Sequence, residues 1–171
     1  MAESVITDEM RSWIGKELES YTVEIEKEPI RRWAEAIGDP NPIFHDQEYA
    51  KKTRHGGLIA PPGMISNYGF ALEGHTTRMG GSRGAPAGGG RRTFAMPFKL
   101  ILNGGNDVEY VRPVKAGDVL RATNRIADLS ERQGRPGIGR MLMYTTETVF
   151  MDARGQVVAK ARNNLIYYEG K

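Results

Sequence analysis

The sequence predicts an α+β domain in which a curved antiparallel sheet wraps around one apolar helix. Three observations predict it. Between Leu58 and Leu72 there are few charges, and Met64, Ile65, Tyr68, Ala71 and Leu72 follow one another at helical spacing, so this helix should be largely buried. The second half, from Val108 to Tyr168, reads as about four segments with period-two or β-rich patterning. The joints between them are short and rich in turn formers, so consecutive strands should run antiparallel. A meander that must bury one face, and one greasy helix available to cover it, give the wrapped arrangement. No internal repeat is visible, and the whole chain, residues 1–171, reads as a single domain.

The elements follow in order. Tyr21, Val23 and Ile25 alternate with Thr22, Glu24 and Glu26, the signature of a half-buried strand. A helix comes next, with Pro29 suited to its first position and Ile30, Trp33, Ala34 and Ile37 on one face. Gly38 stands where a helix C-cap belongs. Asp39-Pro40-Asn41-Pro42 then forces a turn, since each residue before a proline is pushed out of helical geometry. Asp46 can cap a short helix through Gln47, Tyr49 and Ala50. Gly56 to Met64 forms an irregular approach to the apolar helix, expected over 62–72. Residues 74–93 are glycine-rich and read as a flexible surface loop or a lid; no Gly-Lys-Ser/Thr follows, so they do not match a phosphate-binding loop. The strands are expected over Val108 to Val111, Asp118 to Leu129, Gly139 to Met151 and Gln156 to Tyr168, with Asp152 to Gly155 as the last hairpin.

Composition removes several classes of function. The 171 residues include no cysteine, which excludes disulfides, thiolate nucleophiles and Cys-ligated metal. The three histidines lack metal-ligand spacing, so no metal site is expected. Ser66 has no Gly-x-Ser-x-Gly setting, and Trp13 and Trp33 read as packing residues. Acidic and basic residues interrupt the first turns of chain, and no apolar run reaches the roughly 20 residues of a membrane span, so neither a secretory signal nor a membrane anchor is expected and the default is cytoplasmic. The net charge is +3, but lysines and arginines are scattered, with doublets at Arg31-Arg32, Lys51-Lys52 and Arg91-Arg92. Nucleic acid is therefore not the expected partner; an anionic thioester fits the modest excess.

Three segments carry a resemblance. They are Ala36-Ile37-Gly38-Asp39-Pro40-Asn41-Pro42-Ile43, Gly57-Leu58-Ile59-Ala60-Pro61-Pro62, and Tyr110-Val111-Arg112-Pro113-Val114-Lys115-Ala116-Gly117-Asp118. In order and spacing they resemble the MaoC-like acyl dehydratase and (R)-specific enoyl-CoA hydratase family, and the Pro61-Pro62 variant is most similar to its N-terminal-type dehydratase domains. The resemblance implies a hot-dog fold and reversible dehydration of 3-hydroxyacyl thioesters to 2-enoyl thioesters, on CoA or acyl carrier protein. It implies no cofactor, and a dimer with a second copy or with another hot-dog chain.

The chemistry needs a base for water, an acid near the α-carbon, and donors for the developing enolate oxygen. Asp39 falls on the family's Asp, while the Gly63 and Met64 N–H groups are the candidate oxyanion donors, because helix N-termini favour negative charge. The family's His position is occupied by Phe44, with His45 one residue later. If that segment is extended, His45 leaves the cleft; if it is a loose turn, the slip is absorbed. Asn41 could fix a water in the cleft or simply bond within its own loop, and Asp39 is also a good turn former on its own account. His55 and His75 read as surface residues. Two alternatives stand beside the dehydratase: a non-catalytic subunit whose Phe44 makes the groove apolar for an acyl chain, and a hot-dog thioesterase.

Overall fold

A computed structural model describes residues 3–66 and 94–170. The glycine-rich segment 74–93, His75 and residues 67–72 of the expected apolar helix lie outside the described residues.

A short helix α1 (Asp8–Ser12) precedes strand β1 (Glu17–Glu24), helix α2 (Lys27–Ala36), a 3-10 turn (Pro42–Phe44) and helix α3 (Gln47–Lys52). Strands β2 (Leu100–Tyr110), β3 (Val119–Gln133), β4 (Arg140–Met151) and β5 (Val157–Tyr168) complete one antiparallel sheet of order β1-β3-β4-β5-β2. Helix α1 is too short for periodicity to reveal. Thr7 starts it, its hydroxyl accepting the Met10 N–H at 3.2 Å, and Met10 is its one buried residue. Helix α2 begins at Lys27, so Pro29 is its third residue rather than its first; the missing N–H still falls in the first turn, where no intrahelical acceptor exists. Asp46 caps α3 as its sequence predicts, accepting from Glu48 and Tyr49.

The second half differs from expectation in one element. Strand β2 starts at Leu100, eight residues before Val108. Asn103-Gly104-Gly105-Asn106, for which the sequence set no expectation, forms a bulge against β5, with Gly105 at φ +103°. Gly104 is required by close approach: a Cβ there would stand 3.0 Å from the Asn164 carbonyl oxygen.

The inner face of the sheet carries two apolar clusters. One joins Val23, Ile30, Ala34, Phe44, Met64 and Phe150 with their neighbours, and the other joins Met10, Phe94, Ile126, Leu129 and Leu142. Each fully buried Leu, Ile or Phe contributes about 1.5–3 kcal/mol. Between the clusters the inner face is polar: Asn124, Thr146 and Thr148 are each 4% exposed. On the outer face, cross-strand neighbours alternate in charge across all five strands, Glu17–Arg125–Glu147–Arg162–Asp107. Glu147, at the centre of that row, is only 2% exposed and accepts from Arg125 Nε at 3.0 Å and Arg162 Nε at 2.9 Å.

Candidate active site

The third sequence motif turns out to be a clamp. Arg112 donates to both carboxylate oxygens of Asp118, at 2.7 and 3.4 Å, and the Lys115 N–H donates to the same carboxylate at 2.9 Å. Gly117 sits at φ +91°, a conformation that favours glycine, and its N–H reaches the Ile25 carbonyl at the end of β1, 2.7 Å away. The turn thus closed holds the second motif. The Ala60 N–H donates to Val114 O at 2.8 Å and the Ala116 N–H to Leu58 O at 3.0 Å, so residues 58–60 are strapped to residues 114–116. From that strap the chain turns through Pro61-Pro62-Gly63, and residues 64–66 begin a helix. Met64 and Ile65, 2% and 1% exposed, are buried in the cluster that holds Phe44 and Ala60.

The candidate oxyanion donors sit at this turn. Gly63 has φ +88°, and among the described residues its N–H donates to no carbonyl. The Met64 N–H is shared between Pro61 O and Pro62 O, both at 3.1 Å. The Ser66 hydroxyl donates to Gly63 O at 2.5 Å.

The first motif ends α2 and folds on itself. Gly38 takes φ +69°, and the Asp39 N–H reaches back to Ala34 O at 2.9 Å. Asp39 Oδ1 accepts the Asn41 N–H at 3.0 Å, and Asn41 Oδ1 accepts the Ile43 N–H at 3.1 Å, so both side chains hold the turn locally. Residues 42–44 are a 3-10 turn rather than extended chain. With three residues per turn, neighbouring side chains diverge by about 120°, not 180°. Phe44 therefore drops into the core at 5% exposure, while the half-buried His45 swings back and its Nε2 lies 2.8 Å from the Asp39 carbonyl oxygen. Of the residues singled out in the sequence, Asp39, Asn41 and His45 meet in one turn, and Phe44 shares the buried cluster with Met64. His55 is half-buried and is met by Arg54 Nε at 3.4 Å.

Tyr110 went unrecognised. It packs against the same cluster, and its hydroxyl is buried without a hydrogen-bond partner among the described residues. Burial pushes it up to about 12; the Ile65 backbone beside it pulls the other way, though no bond of normal geometry joins them. Its inward position two residues before Arg112 was the available signal. Among the described residues no cluster of His, Asp or Glu could hold a metal ion, and no helix is long and apolar enough to cross a membrane.

A sheet of this order, with residues 58–66 strapped to it at one end, is the hot-dog fold of the MaoC-like dehydratases and hydratases. The chain belongs to the FAS1-like dehydratase domain region family, which it matches over residues 12–161. It is 30% identical over 151 residues to a UPF0336 protein of Parafrankia sp. (strain EAN1pec), covering 86% of this chain and 88% of that one. It is 26% identical over 174 residues to a Thermomonospora curvata protein named "Probable enoyl-CoA hydratase alpha subunit", covering 95% of this chain and 51% of the other. In fold it is similar to the (3R)-hydroxyacyl-ACP dehydratase complex HadBC of Mycobacterium tuberculosis (TM-score 0.67, 20% identity, 90% of this chain and 96% of that one). It is also similar to a MaoC-like dehydratase of Rhodospirillum rubrum (TM-score 0.57, 19% identity, 92% and 94%).

Proposed function

We propose that this chain hydrates 2-enoyl thioesters and dehydrates 3-hydroxyacyl thioesters, with Asp39 and His45 as the proton-transfer pair. One observation carries the reading: His45 folds back on the Asp39 turn after the 3-10 turn, which supports taking its one-residue displacement by Phe44 as absorbed. A carbonyl only accepts, so His45 Nε2 is the donor in this bond and Nδ1 is the nitrogen left to act as a base. In hydration, one of the pair takes a proton from water as its oxygen bonds to the β-carbon, and the other gives a proton to the α-carbon. The thioester oxygen becomes negative in between, and the Gly63 N–H is the donor offered to it, whereas the expected Met64 N–H is already taken up by Pro61 O and Pro62 O. Asn41 stays a turn residue, and Phe44 lines the apolar side.

The enzyme is read as a dimer through β2. That strand is an edge of the sheet, eleven residues long, and Leu100, Ile101 and Leu102 are 44–48% exposed along it. The partner is a second copy or another hot-dog chain; the heteromeric HadBC complex shares the fold. The second reading, a subunit that holds the acyl chain while its partner supplies the catalytic pair, is favoured by Phe44 standing buried at the family's His position. Assay of crotonyl-CoA hydration, for the chain alone and with the product of a neighbouring gene, separates the two: activity alone supports the Asp39–His45 reading, and activity only in the mixture, surviving loss of Asp39, supports the subunit.

A further inference from the structure

The inner face of a sheet that packs against an apolar helix should be apolar throughout, and this one is not. Asn124 on β3 pairs across the ladder with Thr148 on β4, and Thr146 on β4 pairs with Asn163 on β5. These four side chains share the inner face with Ala122, Phe150 and Ala161 on one side and with Ile126, Leu142 and Tyr144 on the other, so they form a polar belt across the three central strands. Asn124 Oδ1 and Asn163 Oδ1 are both fully buried and have no hydrogen-bond partner among the described residues. A buried acceptor without a donor is destabilising, and native proteins satisfy almost all such groups. The two orphans flank β4, Asn124 beside Thr148 and Asn163 beside Thr146, and each is an acceptor that a bound hydroxyl would fill. Since an amide can be turned over, the belt offers both a donor and an acceptor at each asparagine in either orientation.

The belt lies one inner-face step, about 7 Å, along the strands from Ala122, Phe150 and Ala161, which share a cluster with Phe44, Met64 and Ile65. An acyl chain running from the Gly63 turn along the inner face of the sheet would cross it. We propose that Asn124, Thr146, Thr148 and Asn163 form a buried polar subsite that receives a hydroxyl carried on the acyl chain beyond the reacting carbons. The proposal rests on the thioester reading above and sharpens it: the substrates are acyl thioesters with a hydroxylated chain, preferred over plain saturated tails of the same length. One hydrogen bond gained to a buried orphan corresponds to about tenfold in affinity or efficiency.

The test uses trans-2-octenoyl-CoA against its 6-, 7- and 8-hydroxy forms, in the wild type and in the double variant Asn124→Leu/Asn163→Leu, with crotonyl-CoA as the substrate too short to reach the belt. At least one hydroxylated chain is expected to exceed the plain chain about tenfold in kcat/KM. The double variant should lose that preference, keep crotonyl-CoA turnover, and melt no lower than wild type because two orphaned acceptors are gone. No hydroxyl preference in the wild type, or a preference that survives the double variant, would overturn the proposal. If no enoyl-CoA is hydrated at all, the thioester-hydration reading has failed separately. Calorimetric binding of octanoyl-CoA and 8-hydroxyoctanoyl-CoA then decides the subsite, with tighter hydroxylated binding that the variant abolishes supporting it and equal affinities refuting it. Should the double variant not fold, Asn163→Leu alone, at the half-buried position, carries the same comparison.

Discussion

His45 Nε2 lies 2.8 Å from the backbone carbonyl oxygen of Asp39, so one hydrogen bond both orients the ring and fixes which nitrogen is free. Replacing His45 with Ala should lower crotonyl-CoA hydration by about 10²–10⁴, the usual worth of a positioned acid or base, with the fold intact by circular dichroism. Asp39→Ala should fall in the same range. Asp39→Asn keeps the Oδ1 that accepts from the Asn41 N–H, so it should spare stability while still losing rate. Unchanged turnover in either Asp39 variant would leave that residue a turn former and nothing more.

Phe44 tests the displaced histidine from the other direction. Its ring is 5% exposed in the cluster with Met64 and Ile65, and an imidazole there would lose packing and bury a polar ring with no partner in view. Phe44→His should therefore destabilise the protein by about 2–4 kcal/mol and should not raise activity. Thermal melting alongside the hydration assay reads both. A gain in rate would mean that position 44, not 45, faces the substrate.

Much of this was legible in the sequence, and the failures have physical causes. Tyr21/Val23, the Gly38 cap, the Asp46 cap and the last three strands follow from period and punctuation, which are local properties. Strand β2 was half missed because Gly104 and Gly105 serve a bulge and a close approach to Asn164, whereas glycine pairs ordinarily mark turns. The geometry of residues 42–44 was undecidable from sequence, since the two prolines around Asn41 permit either an extended or a 3-10 course. The polar belt was invisible because Asn124, Thr146, Thr148 and Asn163 are each unremarkable in their own strand and meet only through the register.

Glu147 should set the acid limb of stability. Burial opposes its charge, but hydrogen bonds from Arg125 and Arg162 outweigh that and hold its carboxyl below the ordinary value of 4.5. Folding thus favours the charged form, so its contribution is complete above pH 4.5 and is lost as pH falls through the lower folded-state value. Urea midpoints should be flat near neutrality and decline below pH 4.5, and Glu147→Gln should remove part of that decline. The arginines are 47% and 61% exposed, so solvent screens them, and the variant should cost only about 1–2 kcal/mol at pH 7. Arg125→Ala and Arg162→Ala should each be mild, because one partner remains. Together they should cost more than their sum, since the buried carboxylate is then unpaired.

The β2 edge predicts the oligomeric state. Ile101 points to the inner side of the edge and Leu102 to the outer, opposite Tyr167 and Ile166, and both are exposed. A lysine at each would place charge on both faces of any strand paired there, the device by which edge strands avoid association. Ile101→Lys/Leu102→Lys should sediment as a monomer where wild type is a dimer, with melting little changed because neither side chain is buried in the monomer.

Arg112 and Asp118 should matter to activity without touching substrate. Their pair closes the turn whose Val114 and Ala116 backbone groups hold Leu58 and Ala60, and residues 58–60 in turn set where the helix at 64 begins. Asp118→Ala strips an acceptor from both Arg112 and the Lys115 N–H, so it should cost about 1–3 kcal/mol. Asp118→Asn retains one oxygen for that N–H and should cost less. If the Gly63 N–H serves a developing oxyanion, loosening the strap should lower kcat more than it raises KM, because misplacement hurts a transition-state contact most. Assayed well below its melting temperature, an Asp118→Ala protein with wild-type kcat would separate the clamp from the chemistry and leave it a stability device alone.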